Sequence, residues 1–466
     1  MTDATATERG WLPDFVYTSG RFESNLAIFA DSTGRITRFS RRPDDLASAA
    51  RLSHRAILPG LVNVHSHTFQ RLIRGRTEHR TTSQHDTFWT WRESMYRAAN
   101  LITPEAVYRA ARMAFLEMAL SGITTVGEFH YVHHQPNGVA YDNRNLLALL
   151  ILRAADEIGI RIALLRTAYV RAGWKRDPDP GQIRFITPNV DDFLRDTDDL
   201  RKTKLGKASV GVAPHSIRAV PLNYLREIAS YARANHLPLH MHVAEQPAEV
   251  EACLGEYNCR PVELLKRERL LDEHFTAIHA IHITPEEARD LGSAHANVCA
   301  CPTSERNLGD GAVPADQLLA AGAAICFGSD SNIQIDILED ARELEYHLRM
   351  QKLERVILAD DDSDQGLLAR RLFESATKSG AASLQSPGGA LEIGRPADFF
   401  TVDLNDPSIA GADSGTLLNH IVFSLERTAV RDVVVDGESV IRDGRHALQD
   451  EIVAEFAAAQ KELWNH

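Results

Sequence analysis

The chain has 466 residues with a formal charge of −13, from 51 Lys and Arg against 64 Asp and Glu, and is 44% hydrophobic and 25% charged. These proportions exclude a disordered chain, a collagen-like repeat and a coiled coil, and the acidic balance argues against nucleic acid or an anionic membrane surface as a partner. No run of 18 apolar residues is present, the opening MTDATATERGWLPD lacks a signal-peptide pattern, and five scattered cysteines fit reduced thiols, so a cytoplasmic protein is expected.

In chain order, residues 14–57 hold short alternating strands, NLAIFAD and ITRFS, around the turn Ser32-Thr33-Gly34. From 56 to 331, β-rich runs alternate with helical patterns. The runs fall at 56–67, 123–132, 162 onward, 208–216, 238–245, 275–283, 296–302 and 323–331. The spacing predicts helices over Pro104–Leu120, with Thr103 as N-cap, and over Asn145–Ile158, Leu222–Ala234, Pro285–Leu291 and Asp336–Met350. Residues 352–366 end in an acidic run that reads as a solvated loop. Short strands return over 397–445, with a hairpin turning at Asp436-Gly437, and 449–463 reads as an amphipathic helix. Near-continuous apolar strands between helices make a covered parallel sheet, and eight such units fit a closed barrel. The expected class is α/β: a (β/α)8 TIM-like barrel over 58–394, inserted in a small β-sandwich built from both termini, 1–57 and 395–466.

Barrel enzymes collect reacting groups at the C-terminal ends of their strands, and histidines concentrate there. The first strand ends Val64-His65-Ser66-His67, and the two-residue period of a strand points His65 and His67 the same way. The fifth ends His240-Met241-His242-Val243-Ala244-Glu245, the sixth holds Ile278-His279-Ala280-Ile281-His282, and the eighth ends Gly328-Ser329-Asp330-Ser331. One HxH pair is weak, because most single histidines are surface or satisfied core groups. Four histidine-bearing strand ends and a terminal Asp are much harder to obtain by accident. His65, His67, His242 and Asp330 are therefore the expected metal ligands, with zinc first and Fe2+ also accommodated. The fourth strand offers no lysine that could be carbamylated to bridge a second metal, so one ion per subunit follows. His279 is either a fifth metal contact or a catalytic partner, and the second is preferred. His130, His133 and His134 read as structural, Cys299 and Cys301 as core thiols, Arg71 and Arg74 as ordinary charges, and Phe88-Trp89-Thr90-Trp91 as packing.

The run Leu58-Pro59-Gly60-Leu61-Val62-Asn63-Val64-His65-Ser66-His67, the later histidines, Gly328-Ser329-Asp330 and Gly394-Arg395-Pro396-Ala397-Asp398 resemble the amidohydrolase superfamily. Narrower motifs are similar to the formimidoylglutamate deiminases within it, over nearly the whole chain: Phe69-Gln70-Arg71, Phe88-Trp89-Thr90-Trp91-Arg92, Glu128 to His134, Arg171 to Trp174, Pro214-His215-Ser216-Ile217-Arg218 and Asn307 to Gly311. Arg306 departs from the pattern, where a small residue is expected. The resemblance implies a homodimeric, metal-dependent deiminase of histidine degradation, taking N-formimidoyl-L-glutamate and water to N-formyl-L-glutamate and ammonia. That substrate carries two carboxylates and an amidine. Arg92 and Arg218 are expected to fork onto one carboxylate each, and Gln70, Tyr131 and His215 are implied as further substrate contacts. In the implied reaction zinc acidifies a water, Asp330 takes its proton, His279 stabilises the tetrahedral intermediate or assists proton transfer, and Glu245 protonates the departing nitrogen. Glu249, one helical turn on, ranks below Glu245 for that role. The alternative is a superfamily deaminase acting on a purine-type ring, guanine or S-adenosylhomocysteine, from which the two arginines set this chain apart. A non-catalytic scaffold is disfavoured by the complete ligand set.

Overall fold

A computed structural model describes residues 8–81, 85–203, 205–361 and 363–465. Eight parallel strands pair in chain order: Leu61–Ser66, Ile123–His130, Arg161–Ala168, Ala208–Pro214, Leu239–Val243, Phe275–His279, Asn297–Ala300 and Ala324–Phe327. Each lies in one of the expected β-rich runs, and they are buried along nearly their whole length, as a sheet covered on both faces requires, except the fourth, which is buried only over its C-terminal half. The helices Pro104–Leu120 and Leu222–Ala234 have the expected bounds, and Leu146–Ile158, Pro285–Ser293 and Ile337–Lys352 differ only at their ends. Thr103 caps the first of these by accepting the Ala106 N–H, and Asp336 caps the last by accepting from Leu338 and Glu339.

The strands of the two chain ends form one mixed sheet. Ala50–Pro59 pairs in parallel with Arg9–Thr18 on one side and antiparallel with Phe399–Asp403 on the other. The far edge, Ile36–Ser40, is folded back onto the segment entering Phe399–Asp403: the Ile36 N–H donates to the Arg395 carbonyl at 2.9 Å and the Ala397 N–H to the Gly34 carbonyl at 2.8 Å. The enclosed space is a separate small core containing Val16, Ile28, Ile36, Ile57, Phe399 and Val434. Arg161, at the base of the third barrel strand, ties barrel to sheet through Asp398 at 3.0 Å and Asp436 at 2.9 Å.

The helix Gln449–Trp464 buries Ile452, Phe456, Ala459 and Leu463, and packs against Pro104–Leu120. Buried Arg112 at this junction pairs with Glu157, Glu451 and Glu455. The buried apolar face of the terminal helix thus packs within the chain. Its last turn reaches further: Gln460 Nε2 and Trp464 Nε1 donate to the Leu72 carbonyl, in the short turn Thr68–Ile73 that carries Gln70.

The barrel closes differently from its other seams. Between the eighth and first strands the main-chain link is at the mouth, where the Asp330 N–H donates to the His65 carbonyl and the His67 N–H to the Asp330 carbonyl, both at 2.9 Å. Below it, Asn63 exchanges two hydrogen bonds with Ser329, at 2.7 and 3.0 Å, and Asn332 links Ser329 to Ser66. Gly328 is needed at this seam, since a Cβ there would lie 2.7 Å from His65 Cβ and 2.9 Å from its backbone N and O. Gly328→Ala is expected to destabilise the fold by about 1–3 kcal/mol, the usual cost of overpacking a rigid site. An unfolding midpoint equal to that of the parent chain would show that the seam yields.

Candidate metal-dependent active site

The strand ends that form the barrel mouth are locally strained. Ala244, His279, Ala280 and Asp330 all have left-handed backbone, with φ of 51°, 72°, 51° and 44°. Such conformations cost a non-glycine residue on the order of 1–3 kcal/mol and persist where surrounding bonds impose them. Here those bonds run between strand ends: the Ala280 N–H to the Val243 carbonyl, the His282 N–H to the Ala244 carbonyl, and the Asp330 pair described above.

His65, His67, His242 and Asp330 come together as expected, each offering a ligand atom within 4.8 Å of the others, and all are buried. His67 Nδ1 lies 2.9 Å from the Phe129 carbonyl and His242 Nδ1 3.0 Å from the His215 carbonyl. These carbonyls hold the Nδ1–H tautomer and leave each Nε2 lone pair to face inward, the arrangement that orients a histidine ligand. The Nε2 atoms of His65 and His67 stand 3.2 and 3.3 Å from Asp330 Oδ1. Neither ring nitrogen of fully buried His65 makes a hydrogen bond, an expensive vacancy for a polar group unless a ligand or ion completes it. Burial pushes His65 down to about 3, so it is neutral with a lone pair free. Burial raises the Asp330 carboxyl, but the His65 and His67 imidazoles outweigh it and hold the group well below the usual carboxylate range. Three imidazoles and one carboxylate fit a divalent ion such as zinc.

Above the tetrad opens a solvent-connected cavity. All five residues implied as substrate contacts line it: Gln70, Arg92, Tyr131, His215 and Arg218, together with His67, His242, Glu245 and Asp330. Gln70 Nε2 donates to the Tyr131 hydroxyl at 2.9 Å and leaves its Oε1 without a partner. Arg92 Nε and Arg218 Nη1 are buried and unpartnered, and no carboxylate forms an ion pair with either guanidinium among the described residues. Aromatic rings hold them instead. The Arg92 guanidinium lies 4.4 Å from the Trp89 ring centroid and 5.3 Å from that of Tyr96, and Arg218 lies 5.9 Å from the same Trp89 ring. The Phe88–Trp91 stretch, read from sequence as packing, therefore also serves the cavity: Phe88 and Trp91 line its wall and Trp89 supports both cations.

His279 lies behind the lining, with its ring stacked on His242 at 5.5 Å. Its Nε2 is 3.8 Å from Glu245 Oε1 and its Nδ1 3.2 Å from Glu305 Oε1. Burial works against its charge, but Glu245 and Glu305 raise it well above the ordinary imidazole range. Burial also raises Glu245. Glu249 is buried off the cavity, accepting the Ala244 N–H at 3.2 Å, and is pushed up to about 7. Sequence reading passed over Glu305 for its neighbour Arg306, which points outward and pairs with Glu343 at 2.7 Å. Arg71 is tied to Glu117 and to the carbonyls of Asn332 and Ile333, and His133 and His134 face the Thr167 and Ile186 carbonyls. These residues support the fold, as read.

The Amidohydrolase family profile matches residues 56–440. Over 464 residues the chain is 38% identical to the formimidoylglutamate deiminase of Pseudomonas aeruginosa, covering 99% of each chain. It is 27% identical over 408 residues to a 5-methylthioadenosine/S-adenosylhomocysteine deaminase of Halobacterium salinarum, covering 87% of this chain and 86% of that one. An amidohydrolase structure from Brucella melitensis superposes with a TM-score of 0.87 at 33% identity, covering 98% of this chain and 99% of the other.

Four ligands leave no spare donor in the tetrad, so replacing any one of His65, His67, His242 or Asp330 by Ala should abolish bound metal or turnover. Metal content measured by elemental analysis beside activity checks this, and a His67→Ala variant retaining both in full would remove it from the set.

Proposed function

The chain belongs to the amidohydrolase family, and we propose that it is a metal-dependent deiminase that hydrolyses N-formimidoyl-L-glutamate to N-formyl-L-glutamate and ammonia. One observation carries the substrate class: two half-buried guanidiniums, each with a buried unpartnered nitrogen and no carboxylate ion-pair partner among the described residues, share one cavity with a tetrad that could hold a metal. Arg218 disfavours the charge on Arg92 across the cavity, after burial itself. A dicarboxylate relieves both at once, whereas a neutral purine ring relieves neither. The 38% identity to a formimidoylglutamate deiminase supports the same choice.

His65, His67, His242 and Asp330 would hold one zinc ion per subunit, and the same donors accept Fe2+. When bound, such an ion supplies a Lewis acid that brings the pKa of a water to about 7. Arg92 and Arg218 fix the two carboxylates, with Gln70, Tyr131 and His215 as further donors, so that the formimidoyl carbon faces the tetrad. Asp330 accepts the proton from the attacking water. His279 stabilises the charge of the tetrahedral intermediate. Glu245, whose carboxyl burial raises, gives a proton to the departing nitrogen, the proton taken by Asp330 follows it, and ammonia leaves as the formyl C=O forms and the intermediate's hydroxyl returns its proton to Glu245. A role in histidine degradation follows from this substrate. Five free, buried cysteines support a reducing, cytoplasmic setting, and no helix among the described residues is long and apolar enough to cross a membrane. A homodimer is carried over from the family resemblance alone.

Ammonia release from formimidoylglutamate, guanine and S-adenosylhomocysteine, with and without a chelator, tests the reading. Chelator-sensitive release from formimidoylglutamate is expected, and preference for either purine would overturn it. Glu245→Gln should keep its metal and lose about 10²–10⁴-fold in kcat, the usual weight of general acid–base catalysis. An unchanged rate would move the role elsewhere. Arg218→Met should cost about 2–5 kcal/mol in kcat/KM, from stranding a desolvated carboxylate, without loss of metal. The penalty should shrink on an analogue lacking one carboxylate, and Arg92→Met should behave alike toward the other carboxylate. A penalty identical on every analogue would show that Arg218 shapes the fold and does not read the substrate.

A further inference from the structure

Glu305 is completely buried, yet among the described residues no Arg or Lys forms an ion pair with it. Its Oε1 accepts the Cys301 N–H at 2.8 Å and faces His279 Nδ1 at 3.2 Å, while its Oε2 has no partner at all. Taking a carboxylate out of water at this cost calls for a compensating donor, and His279 is the ionisable group beside it. The carboxylate itself is rigidly placed. It projects from the short helix Pro302–Leu308, which Thr303 ties to Asp340 at 2.8 Å and Ser304 ties to the Ser329 carbonyl at 3.1 Å and to the Ser331 N–H, on either side of Asp330.

We propose that Glu305 is a positioning residue that fixes the ring of His279: by accepting the Nδ1–H it keeps Nε2 as the nitrogen turned toward Glu245 and the reacting centre. Stacking on His242 fixes the plane of the ring but does not distinguish its two edges. A half-turn about the Cβ–Cγ bond would leave the plane unchanged and put Cε1–H where Nε2 stands, with no basic or acidic atom facing Glu245. A hydrogen bond at Nδ1 removes that alternative. The same second partner of an imidazole fixes tautomer and orientation at other catalytic and metal-bound histidines.

The kinetic arm of the test rests on the substrate reading above, and the spectroscopic arm does not. In the metal-loaded enzyme, Glu305→Gln should lower kcat about 10–100-fold, as loss of an imidazole's outer partner does elsewhere, with KM and metal content held. In a His279→Ala background the same change should cost less than about twofold, because residues acting through one another are not additive. An equal loss in both backgrounds, or none in the parent, would overturn the proposal. In the zinc-loaded, substrate-free enzyme, a far-downfield Nδ1–H proton resonance should be present in the parent chain and absent from both Glu305→Gln and His279→Ala. Its absence from the parent chain overturns the proposal even if Glu305→Gln fails to fold. If formimidoylglutamate is not turned over, the substrate reading falls while the resonance still decides the role of Glu305.

Discussion

The structure depends on Asp330 serving two seams at once. Its backbone N–H and carbonyl bridge His65 and His67 and so join the last barrel strand to the first, while its carboxylate faces those same two imidazoles. Barrel closure and the geometry of the His-Asp tetrad are therefore one constraint. The left-handed backbone of Asp330, the missing side chain at Gly328 and the Asn63–Ser329–Asn332 bonds below are all consequences of bringing two strand ends close enough for one residue to do both. The strain is the kind that a functional site retains because the surrounding bonds leave no alternative.

Electrostatically the molecule is divided. The chain as a whole carries −13, but the cavity gathers imidazoles and two guanidiniums resting on Trp89 and Tyr96. Aromatic faces hold a cation without neutralising it. A carboxylate in place of Trp89 would have stabilised both arginines in the empty cavity and left them nothing to offer an incoming anion.

The barrel was legible because its signals are local. Apolar runs with two-residue side-chain alternation marked every strand, and the alternation alone put His65 and His67 on one side. The tetrad followed from strand ends, since parallel strands pointing one way bring their C-terminal ends to one mouth. Through-space relations were not legible. Nothing near Asn63 in sequence announces Ser329, and Glu305 reads as an ordinary helix residue until the turn places it beside His279. The 449–463 pattern declared an apolar face, but its partner, Pro104–Leu120, is set by tertiary packing. The second role of Trp89 is not legible for a related reason: an aromatic run reads as packing until the neighbouring arginine is seen to lie on it with no acid paired to it among the described residues.

The mixed sheet built from both ends of the chain carries a consequence for biosynthesis. Pro59 pairs with Phe399, and Val434 lies in the same small core as Val16. On the ribosome the first strands emerge long before their partners exist, and must wait, exposed along the edge of Ala50–Pro59, through the synthesis of the entire barrel. Domains that form vectorially can bury themselves as they appear, but this one cannot. Its unpaired edge is a place for chaperones to bind and for neighbouring nascent chains to pair wrongly, so crowding on polysomes bears on the yield of folded enzyme.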